Sequence, residues 1–411
     1  MSLSLCGEKG VSDVNIVVTT DRRFFLRDDG TACCTDGSRG YEFWSRYLDV
    51  FDSVTVVGRL CQDTKPTGYP VEGDRVSLFP LTNYQGPGQY LRRRKRLMHQ
   101  INEVCCRADA FLLRVPGQIG TLVQNNLQRR SYPYGVEVIA DPYDIFAPGA
   151  CKHRLRKVVR WDYTRRLRKQ CRLAIGAAYV TSETLQSRYP AGPHAFATNY
   201  SSVEMQEDAY VASSRPADSF RRPGRLVFVG TMSQLYKGVH ILIDAVTQCV
   251  RAGVDVNLTI VGDGKHQPEM EARCCQNGIA DRVKFLGHIP AGEQVRTRFD
   301  ESDLCILPSF AEGLPRVLIE AMGRALPCIG SDVGGIPELL GPDNVVPARQ
   351  AKPLADKIME VLADPSRMAH ESQRNLNVAR RYCAALLGTR RNEFYRHVLD
   401  RTQTWTSRKA A

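Results

Sequence analysis

The stretch RLVFVGTMSQLYKGVHILIDAVTQCVRAGVDVNLTIV, residues 225–261, decides the fold. It begins and ends with β-branched runs at 225–229 and 256–261, and residues 237–252 between them show helical spacing up to Gly253. This order predicts two parallel strands joined by a crossover helix. The alternation continues with strands at 283–286, 304–307 and 327–330 and helices near 268–276, 292–300 and 315–324. We therefore predict a doubly wound α/β domain.

The first half of the chain shows the same alternation less regularly. Short apolar runs predict strands at 14–19, 54–57, 110–115, 136–139 and 177–181, and hence a second, looser α/β domain. Residues 199–222 are rich in Ser, Asp and Pro, which is typical of a linker. The predicted organisation is an N-terminal domain over 1–205, a linker over 206–222 and a C-terminal domain over 223–388, with a final helix at 390–411 joining the first domain.

Composition and charge exclude several classes of protein. The 411 residues are 43% hydrophobic and 24% charged, close to the averages of globular proteins, which argues against disorder and fibrous folds. The net charge is +12, and residues 1–200 hold 29 basic and 19 acidic groups, so the first half is the basic one. Neither a membrane-length apolar run nor a signal-peptide pattern is present, so we expect a cytoplasmic protein. The 14 cysteines form no C-x-x-C motif, so we expect reduced thiols and no metal site.

Residues 308–320, PSFAEGLPRVLIE, carry the most chemical information. A predicted strand ends in a small-residue loop that contains Glu312, and the following helix carries Glu320. Pro315 near the helix start leaves free backbone amides that form an anion site. One ligand could therefore contact both carboxylates and the amides between them. The alternative is two surface acids at a helix start, where acidic residues favour the dipole.

This E-x7-E pair and the next run, EAMGRALPCIGSDVGGIPEL at 320–339, resemble the donor-binding domain of family 4 retaining glycosyltransferases. The resemblance covers residues 225–381 strongly and residues 1–200 only in outline. It implies the GT-B fold, in which two Rossmann-like domains with parallel sheets face each other across a cleft. It also implies that the C-terminal domain holds a nucleotide-sugar without a metal or other cofactor.

The resemblance assigns roles to the two carboxylates and the residues between them. Glu320 matches the acid that binds the ribose hydroxyls, and Glu312 matches the one beside the donor sugar near the reacting carbon. The backbone that would hold the sugar and the diphosphate includes Gly313, Leu314, Arg316 and Val317.

A second element is VGTMSQLYKG, residues 229–238. Lys237 matches a lysine that contacts the donor diphosphate and stabilises the leaving group, an electrostatic contribution to catalysis. The alternative is a solvated lysine at a helix start. Many family members place an arginine after Gly230, but this chain has Thr231, so the usual pair of cations is incomplete. We expect another cation, Arg316 or one from the N-terminal domain, to substitute.

Two weaker motifs also belong to the predicted donor site. Gly262 and Asp263 resemble the family's G-x-G turn, which is also a common structural turn. His288 lies in a segment that matches the border of the nucleotide base, and it could equally be an ordinary loop residue.

On the acceptor side, residues 113–120 (LRVPGQIG) occupy the place where the family often has a histidine, and this stretch has none. Arg114 and the backbone at Gly117 are candidates to line the cleft instead, and Asp141 is a candidate to face the acceptor.

Two basic segments account for the charge of the first half. Residues 151–172 hold ten Lys/Arg and one acid, and residues 92–96 add five cations. With Leu155, Val158, Val159, Trp161 and Leu167 at helical spacing, the longer segment resembles an amphipathic helix that rests on an anionic membrane. A solvated helix packed on its own domain is the alternative. The candidate membrane residues are Arg92, Arg93, Arg94, Arg156, Lys157, Arg160, Arg165 and Arg168.

The sequence thus predicts a glycosyltransferase that moves a hexose-type sugar, with retention, from a nucleotide-sugar to a saccharide or lipid-linked acceptor. No nucleic-acid-binding module is evident. A GT-B epimerase or phosphorylase and a non-catalytic nucleotide-sugar-binding scaffold are the alternatives.

Overall fold

Two sheets carry the chain, and each collects the strands of one half of the sequence. The computed structural model describes residues 14–35, 39–65, 67–106, 110–148, 154–201, 203, 205–220 and 223–410. Residues 151–153 of the basic segment and 221–222 of the predicted linker lie outside the described residues.

The first sheet and its helices occupy residues 15–199. Its strands are β1 (Asn15–Arg27), β2 (Ala32–Cys34), β3 (Ser53–Lys65), β4 (Tyr69–Pro70), β5 (Val76–Thr82), β6 (Ala110–Val115), β7 (Gly135–Val138), β8 (Gly176–Tyr179) and β9 (Phe196–Asn199). Its helices are α1 (Tyr41–Ser45), α2 (Gly86–Cys105), α3 (Gln118–Arg129), α4 (Pro142–Ile145), α5 (Arg156–Leu173) and α6 (Thr184–Arg188).

Seven strands of this sheet are parallel, in the order β5-β3-β1-β6-β7-β8-β9, and β2 and β4 extend it as antiparallel strands. The predicted strands at 14–19 and 54–57 were too short, and β2, β4, β5 and β9 were missed. Polar residues explain the short prediction for β1, because Arg22 and Arg23 are exposed and the pairing with β3 shifts register between Thr19 and Arg23. A register shift breaks the period-2 pattern that reveals a strand.

The second sheet contains β10 (Gly224–Val229), β11 (Val256–Val261), β12 (Val283–Phe285), β13 (Leu304–Leu307), β14 (Cys328–Ser331) and β15 (Val345–Val346). All six are parallel, in the order β12-β11-β10-β13-β14-β15, which confirms the doubly wound prediction. The helices are α7 (Val239–Arg251), α8 (Gln267–Asn277), α9 (Glu293–Asp300), α10 (Arg316–Gly323), α11 (Ile336–Leu340), α12 (Ala351–Leu362), α13 (Pro365–Ala379) and α14 (Ala384–Ala410).

The chain returns to the first sheet through its last helix. Helix α14 starts at Ala384, earlier than the predicted residue 390, and packs on β6, β8 and β9. Glycines on the sheet allow this close approach, since a Cβ on Gly176 would lie 2.9 Å from the Phe394 ring and one on Gly135 would lie 2.8 Å from Val398. Residues from both ends of the sequence therefore build the first domain's core.

Candidate active site

A cavity of about 510 Å³ opens at the carboxyl ends of the second sheet's strands, where doubly wound folds bind ligands. Every predicted donor-site residue except Gly313 lines it, which brings together four loops that are distant in the sequence. The predicted residues that line the cavity are Gly230, Thr231, Lys237, Gly262, Asp263, His288, Glu312, Leu314, Arg316, Val317 and Glu320.

Lys237 and Glu312 form an ion pair in this cavity. The Lys237 Nζ lies 2.6 Å from Glu312 Oε1, and the side chains are only 15% and 10% exposed. Burial by itself would lower the pKa of Lys237, but the charge of Glu312 and its hydrogen bond outweigh burial, so the pKa lies above its ordinary value. The lysine is therefore charged at neutral pH and is fixed beside the carboxylate.

The turn before Lys237 explains how the lysine reaches this position. Residues Leu235–Lys237 form a short 3-10 turn, and Gly238 follows with φ +75°. A Cβ on Gly238 would lie 2.1 Å from the Pro308 carbonyl oxygen, so only glycine fits there. Helix α7 consequently begins after the lysine, at Val239, and not at residue 237 as predicted.

The loop between Glu312 and α10 presents backbone to the cavity. Pro315 precedes the first helical residue, Arg316, so the first amides of α10 lack partners within the helix. Gly313 lies at the boundary of the two domains, because a Cβ there would come 2.9 Å from the Ile139 carbonyl oxygen of the first domain. Its own carbonyl accepts a hydrogen bond from Gly335 N at 2.6 Å.

Glu320 lies one turn further along α10, on the same cavity wall. Burial raises its pKa above the ordinary value for glutamate, and the positive charges of Arg316 and Arg296 oppose that rise only in part. A partly buried carboxylate of this kind favours hydrogen-bond donors, which the hydroxyls of a ligand can supply.

The loop after β10 is held by the loop after β11. Gly262 and Gly264 have φ +121° and +152°, and a Cβ on either would lie 2.1 Å from backbone atoms of residues 230–233. The Thr231 hydroxyl bonds to Ser233 and to the Asp263 carbonyl oxygen within this turn. Thr231 thus shapes the loop and supplies no charge to the cavity.

His288 follows directly after Gly287, whose carbonyl oxygen accepts from Gly262 N at 2.7 Å. The histidine is exposed on the cavity rim, next to the paired loops. His288 is therefore both a loop residue and part of the cavity lining.

Two contacts across the cleft were not predicted from the sequence. The Glu338 carboxylate at the start of α11 accepts from Ser182 N and Oγ, both at 2.7 Å, and from Thr184 N at 2.5 Å. Asp144 Oδ2 accepts from Gly334 N at 3.1 Å. These bonds join the first domain to the loop behind Glu312, because a Cβ on Gly334 would lie 2.1 Å from the Glu312 carbonyl oxygen. The sequence carried no signal for these contacts, because Thr181 Oγ1 caps Leu185 N within the first domain and the acceptor for the preceding amides is more than 150 residues away.

The prediction that Arg114 lines the cleft is wrong. Arg114 is 4% exposed and forms an ion pair with Glu137 inside the first domain, close to Arg46. Glu137 also accepts hydrogen bonds from the hydroxyls of Tyr47, Tyr200 and Tyr395 at 2.7–3.1 Å. Although burial raises the pKa of Glu137, the two arginines and these hydroxyls lower it below the ordinary value. Arg114 is tolerated on a buried strand because Glu137 pairs with it, and the sequence pattern did not reveal this partner.

The prediction that Asp141 faces the acceptor is also wrong. The residue is 1% exposed and caps α4, accepting from Tyr143 N at 2.8 Å. It also accepts from the Tyr189 hydroxyl at 2.5 Å and pairs with Arg188. These partners give Asp141 a structural role.

Gly117 is buried where α3 begins, packed against Asp21. A Cβ there would lie 1.8 Å from Asp21 Oδ2, so the glycine permits a close approach of backbone to carboxylate. Asp21 Oδ1 accepts from Ile119 N at 3.2 Å, and burial raises the pKa of Asp21. The acceptor-side candidates therefore support the first sheet, and none of the three lines the donor cavity.

The basic segments form helices α5 and α2, which flank the start of α3. Gln118 joins them, because its side chain bonds to Tyr90 of α2 at 3.2 Å and to Arg166 of α5 at 3.0 Å. The predicted apolar stripe of α5 divides in two: Leu167 is buried, whereas Leu155, Val158 and Trp161 are 60–62% exposed. Arg160 stacks on the Tyr143 ring of the adjoining helix α4 at 3.3 Å.

The described part of the chain contains no group of three or more His, Cys, Asp or Glu side chains arranged to hold a metal ion. Within the same residues, no helix has both the length and the apolar character needed to cross a bilayer.

Comparison with known proteins relates the second half of the chain to glycosyltransferases. Residues 223–364 match the family described as glycosyl transferases group 1. The protein CapJ of Staphylococcus aureus is 25% identical over 299 residues, which cover 72% of this chain and 73% of CapJ. The amylovoran biosynthesis glycosyltransferase AmsK of Erwinia amylovora is 30% identical over 190 residues, 41% of this chain and 46% of AmsK.

Among solved structures, HepE of Anabaena in complex with UDP is similar over 93% of this chain and 98% of HepE, with a TM-score of 0.62 and 18% identity. Its complex with UDP-glucose gives a TM-score of 0.61. Likeness at this level of identity concerns the fold, and it confirms the two-domain α/β architecture with Rossmann-like sheets that the sequence predicted.

Proposed function

Starting from a chain that carries a group 1 glycosyltransferase domain, we propose that it transfers a hexose-type sugar from a nucleotide-sugar to an acceptor hydroxyl, with retention at the anomeric carbon. The observation that carries this proposal is the Lys237–Glu312 pair, 2.6 Å apart in a cavity that also holds Glu320 and the start of α10. A relative that serves amylovoran synthesis and a similar fold that binds UDP-glucose favour a UDP-sugar donor and a role in polysaccharide or glycolipid synthesis.

Each part of the cavity matches one part of such a donor. Glu320 accepts from the ribose hydroxyls, which relieves its unfavourable burial. The amides at the start of α10 and the charge of Lys237 hold the diphosphate and stabilise the leaving group as the glycosidic bond breaks. Glu312 contacts the hydroxyls of the sugar and keeps the lysine in place. In this proposal the protein groups supply the charge stabilisation, and no step is assigned to a metal ion or cofactor.

A nucleotide-binding measurement tests this assignment. We expect UDP, GDP or ADP to bind the wild-type protein in calorimetry and Glu320→Gln to weaken that binding about tenfold or more, since a hydrogen bond to a charged group contributes roughly 1.5–3 kcal/mol. Exposed Glu301, paired with Arg298, provides the matched control in Glu301→Gln. Equal binding by the Glu320 variant and the wild type would contradict the donor site.

Release of free nucleotide distinguishes the enzyme from its alternatives. A transferase releases UDP from UDP-glucose and labels an acceptor, an epimerase alters the sugar without release, and a scaffold does neither. Lys237→Ala should lower the release of UDP about 10²- to 10³-fold and leave Glu320-dependent binding detectable.

The acceptor side carries a surface suited to an anionic membrane. Leu155, Val158 and Trp161 project from α5 beside Arg165 and Arg168, which combines an exposed aromatic group with positive charge. Helix α4 extends this apolar surface with Tyr143 and Ile145, which are 44% and 38% exposed, and its Asp144 reaches Gly334 beside Glu312. We therefore propose a cytoplasmic enzyme that rests peripherally on the inner membrane face and takes a lipid-linked acceptor.

Vesicle binding tests this surface. We expect cosedimentation with phosphatidylglycerol vesicles, little with phosphatidylcholine, and at least a tenfold loss for Val158→Ser/Trp161→Ser because the apolar contact is removed. Leu386→Ser, a comparable exposed position on α14, is the control. Unaltered vesicle binding by the double variant would contradict the membrane contact and show that this face of α5 is simply exposed to solvent.

A further inference from the structure

Arg316 places a positive charge where the helix itself disfavours one. It is the first residue of α10, and the helix dipole already puts partial positive charge at that end. The residue is exposed, and it forms neither an ion pair nor a side-chain hydrogen bond with the residues that the structure describes. It lines both the donor cavity and an adjoining cavity of about 430 Å³. An anionic ligand in the donor cavity would therefore meet this guanidinium.

The position of Arg316 lies between the two carboxylates of the donor cavity. It follows Glu312 by four residues and precedes Glu320 by four, and the second spacing puts Arg316 and Glu320 on one face of α10. Burial raises the pKa of Glu320, and the charge of Arg316 opposes that rise. Burial and Glu312 have the larger effects on the pKa of Lys237, and the charge of Arg316 also lowers it. Arg316 is thus within electrostatic range of both Glu320 and Lys237.

A nucleotide-sugar has a fixed order of parts, namely ribose, ribose-side phosphate, sugar-side phosphate and sugar. In the proposed donor site Glu320 contacts the ribose, and Lys237 with Glu312 contacts the sugar end. The ribose-side phosphate then lies between these groups, along the cavity wall to which Arg316 belongs. Two other polar side chains of the cavity are engaged elsewhere, because Lys237 pairs with Glu312 and the Thr231 hydroxyl bonds within its own turn.

We infer that Arg316 binds the ribose-side phosphate of the donor, while Lys237 acts on the sugar-side phosphate, which leaves with the nucleotide. This inference rests on the proposed function, because the order of the contacts is that of the nucleotide-sugar. An arginine can donate two parallel hydrogen bonds to a phosphate, and the phosphate charge offsets the unfavourable place of a cation at a helix start. Arg316 thus contributes to donor affinity, and Lys237 contributes to the rate.

Binding of uridine, UMP and UDP separates the two phosphates, because UMP carries only the ribose-side one. We expect Arg316→Gln to weaken UMP and UDP binding about tenfold or more each, and uridine binding less than about twofold. Lys237→Ala should weaken UDP binding more than UMP binding. Arg316→Lys keeps the charge and should recover most of the affinity. Arg282→Gln, which alters an exposed arginine paired with Asp255, is the control. The corresponding series is used if GDP or ADP binds more tightly than UDP.

The results separate the role of Arg316 from the donor site. UMP and UDP binding that Arg316→Gln leaves unchanged overturns the inference, and so does an equal loss for uridine, UMP and UDP, which would indicate a structural effect. A loss confined to UDP overturns the assignment to the ribose-side phosphate. In each of these cases the proposed function stands if Glu320→Gln still weakens UDP binding. A wild-type protein that binds none of UDP, GDP and ADP overturns both.

Discussion

Each domain contains a cation–carboxylate pair that is largely shielded from solvent, and the two pairs differ in what surrounds them. In the first domain, Arg114 and Glu137 lie inside the core, where three tyrosine hydroxyls and Arg46 use the remaining capacity of the carboxylate. In the second, Lys237 and Glu312 lie beside a cavity of about 510 Å³ with backbone amides next to them. The first pair is saturated by protein groups, whereas the second faces space for a ligand.

This difference shows that an ion pair by itself does not indicate a site. A buried pair with every partner satisfied serves the fold, and removing one member leaves an uncompensated charge. A pair that opens onto a cavity leaves room for a ligand to make additional contacts with both of its members. Substitutions should therefore change stability at one pair and activity at the other.

The largest effect is expected at Glu137. Glu137→Gln leaves Arg46 and Arg114 without a carboxylate in the core, so we expect a loss of about 3–5 kcal/mol in the free energy of unfolding. Denaturant titration measures it. Glu360→Gln, an exposed partner of Lys357 and Arg367, should change stability by less than about 1 kcal/mol. A Glu137 variant as stable as this control would contradict the core assignment.

At the cleft pair, Lys237→Ala should lower kcat about 10²- to 10³-fold, because it removes charge stabilisation of the leaving diphosphate. Release of UDP from UDP-glucose at saturating donor measures the effect. The exposed Lys352, paired with Asp356, gives the control Lys352→Ala. The comparison fails if Lys237→Ala unfolds the protein as Glu137→Gln does, or retains wild-type kcat.

A smaller effect is expected at Glu338, which belongs to neither pair but holds the domains together. Glu338→Gln weakens charge-assisted bonds to Ser182 and Thr184, so we expect roughly a tenfold fall in kcat/KM and a larger radius of gyration in X-ray scattering. The pKa of Glu338 is lowered by these same donors, despite burial, so the contact persists at mildly acidic pH. An unchanged radius together with unchanged kcat/KM would exclude a role in closure.

The smallest effect is a pH dependence at Glu320. Because burial raises its pKa, the carboxylate takes up a proton at a higher pH than an ordinary glutamate, and the protonated form is a poorer acceptor. UDP affinity should therefore fall as pH decreases from 7 towards 5, by a few-fold. Calorimetry across this range measures the trend, and Glu320→Gln should flatten it. A wild-type profile as flat as that of the variant would show that Glu320 is not the titrating group.

The second domain was predictable because its elements are local and regular. Residues 225–261 reveal a strand, a helix and a strand by periodicity, and 308–320 place two carboxylates around one helix start. The details that need tertiary contacts were not predictable. Helix α7 begins after Lys237 because Gly238 packs on Pro308, a residue 70 positions away in the sequence.

The first domain resisted prediction for the same reason. Arg114 follows a buried apolar run, and its partner Glu137 belongs to the next strand, so the local pattern suggested a cleft residue where the structure has a core pair. Asp141 precedes a proline and caps α4, which resembles a strand end facing a ligand. Charge in the sequence indicated where cations cluster, but not that Leu167 points inward while Trp161 points outward.

The bonds from Ser182 and Thr184 to Glu338 have a consequence for kinetics. Thr181 Oγ1 accepts from Leu185 N in helix α6, whereas the amides of Ser182, Glu183 and Thr184 at its start bond to Glu338 of the other domain. When the cleft opens, these amides lose their acceptor and become available to exchange with deuterium. The deuterium exchange rate of these amides therefore reports how often the cleft opens. It should fall when a donor occupies the cleft.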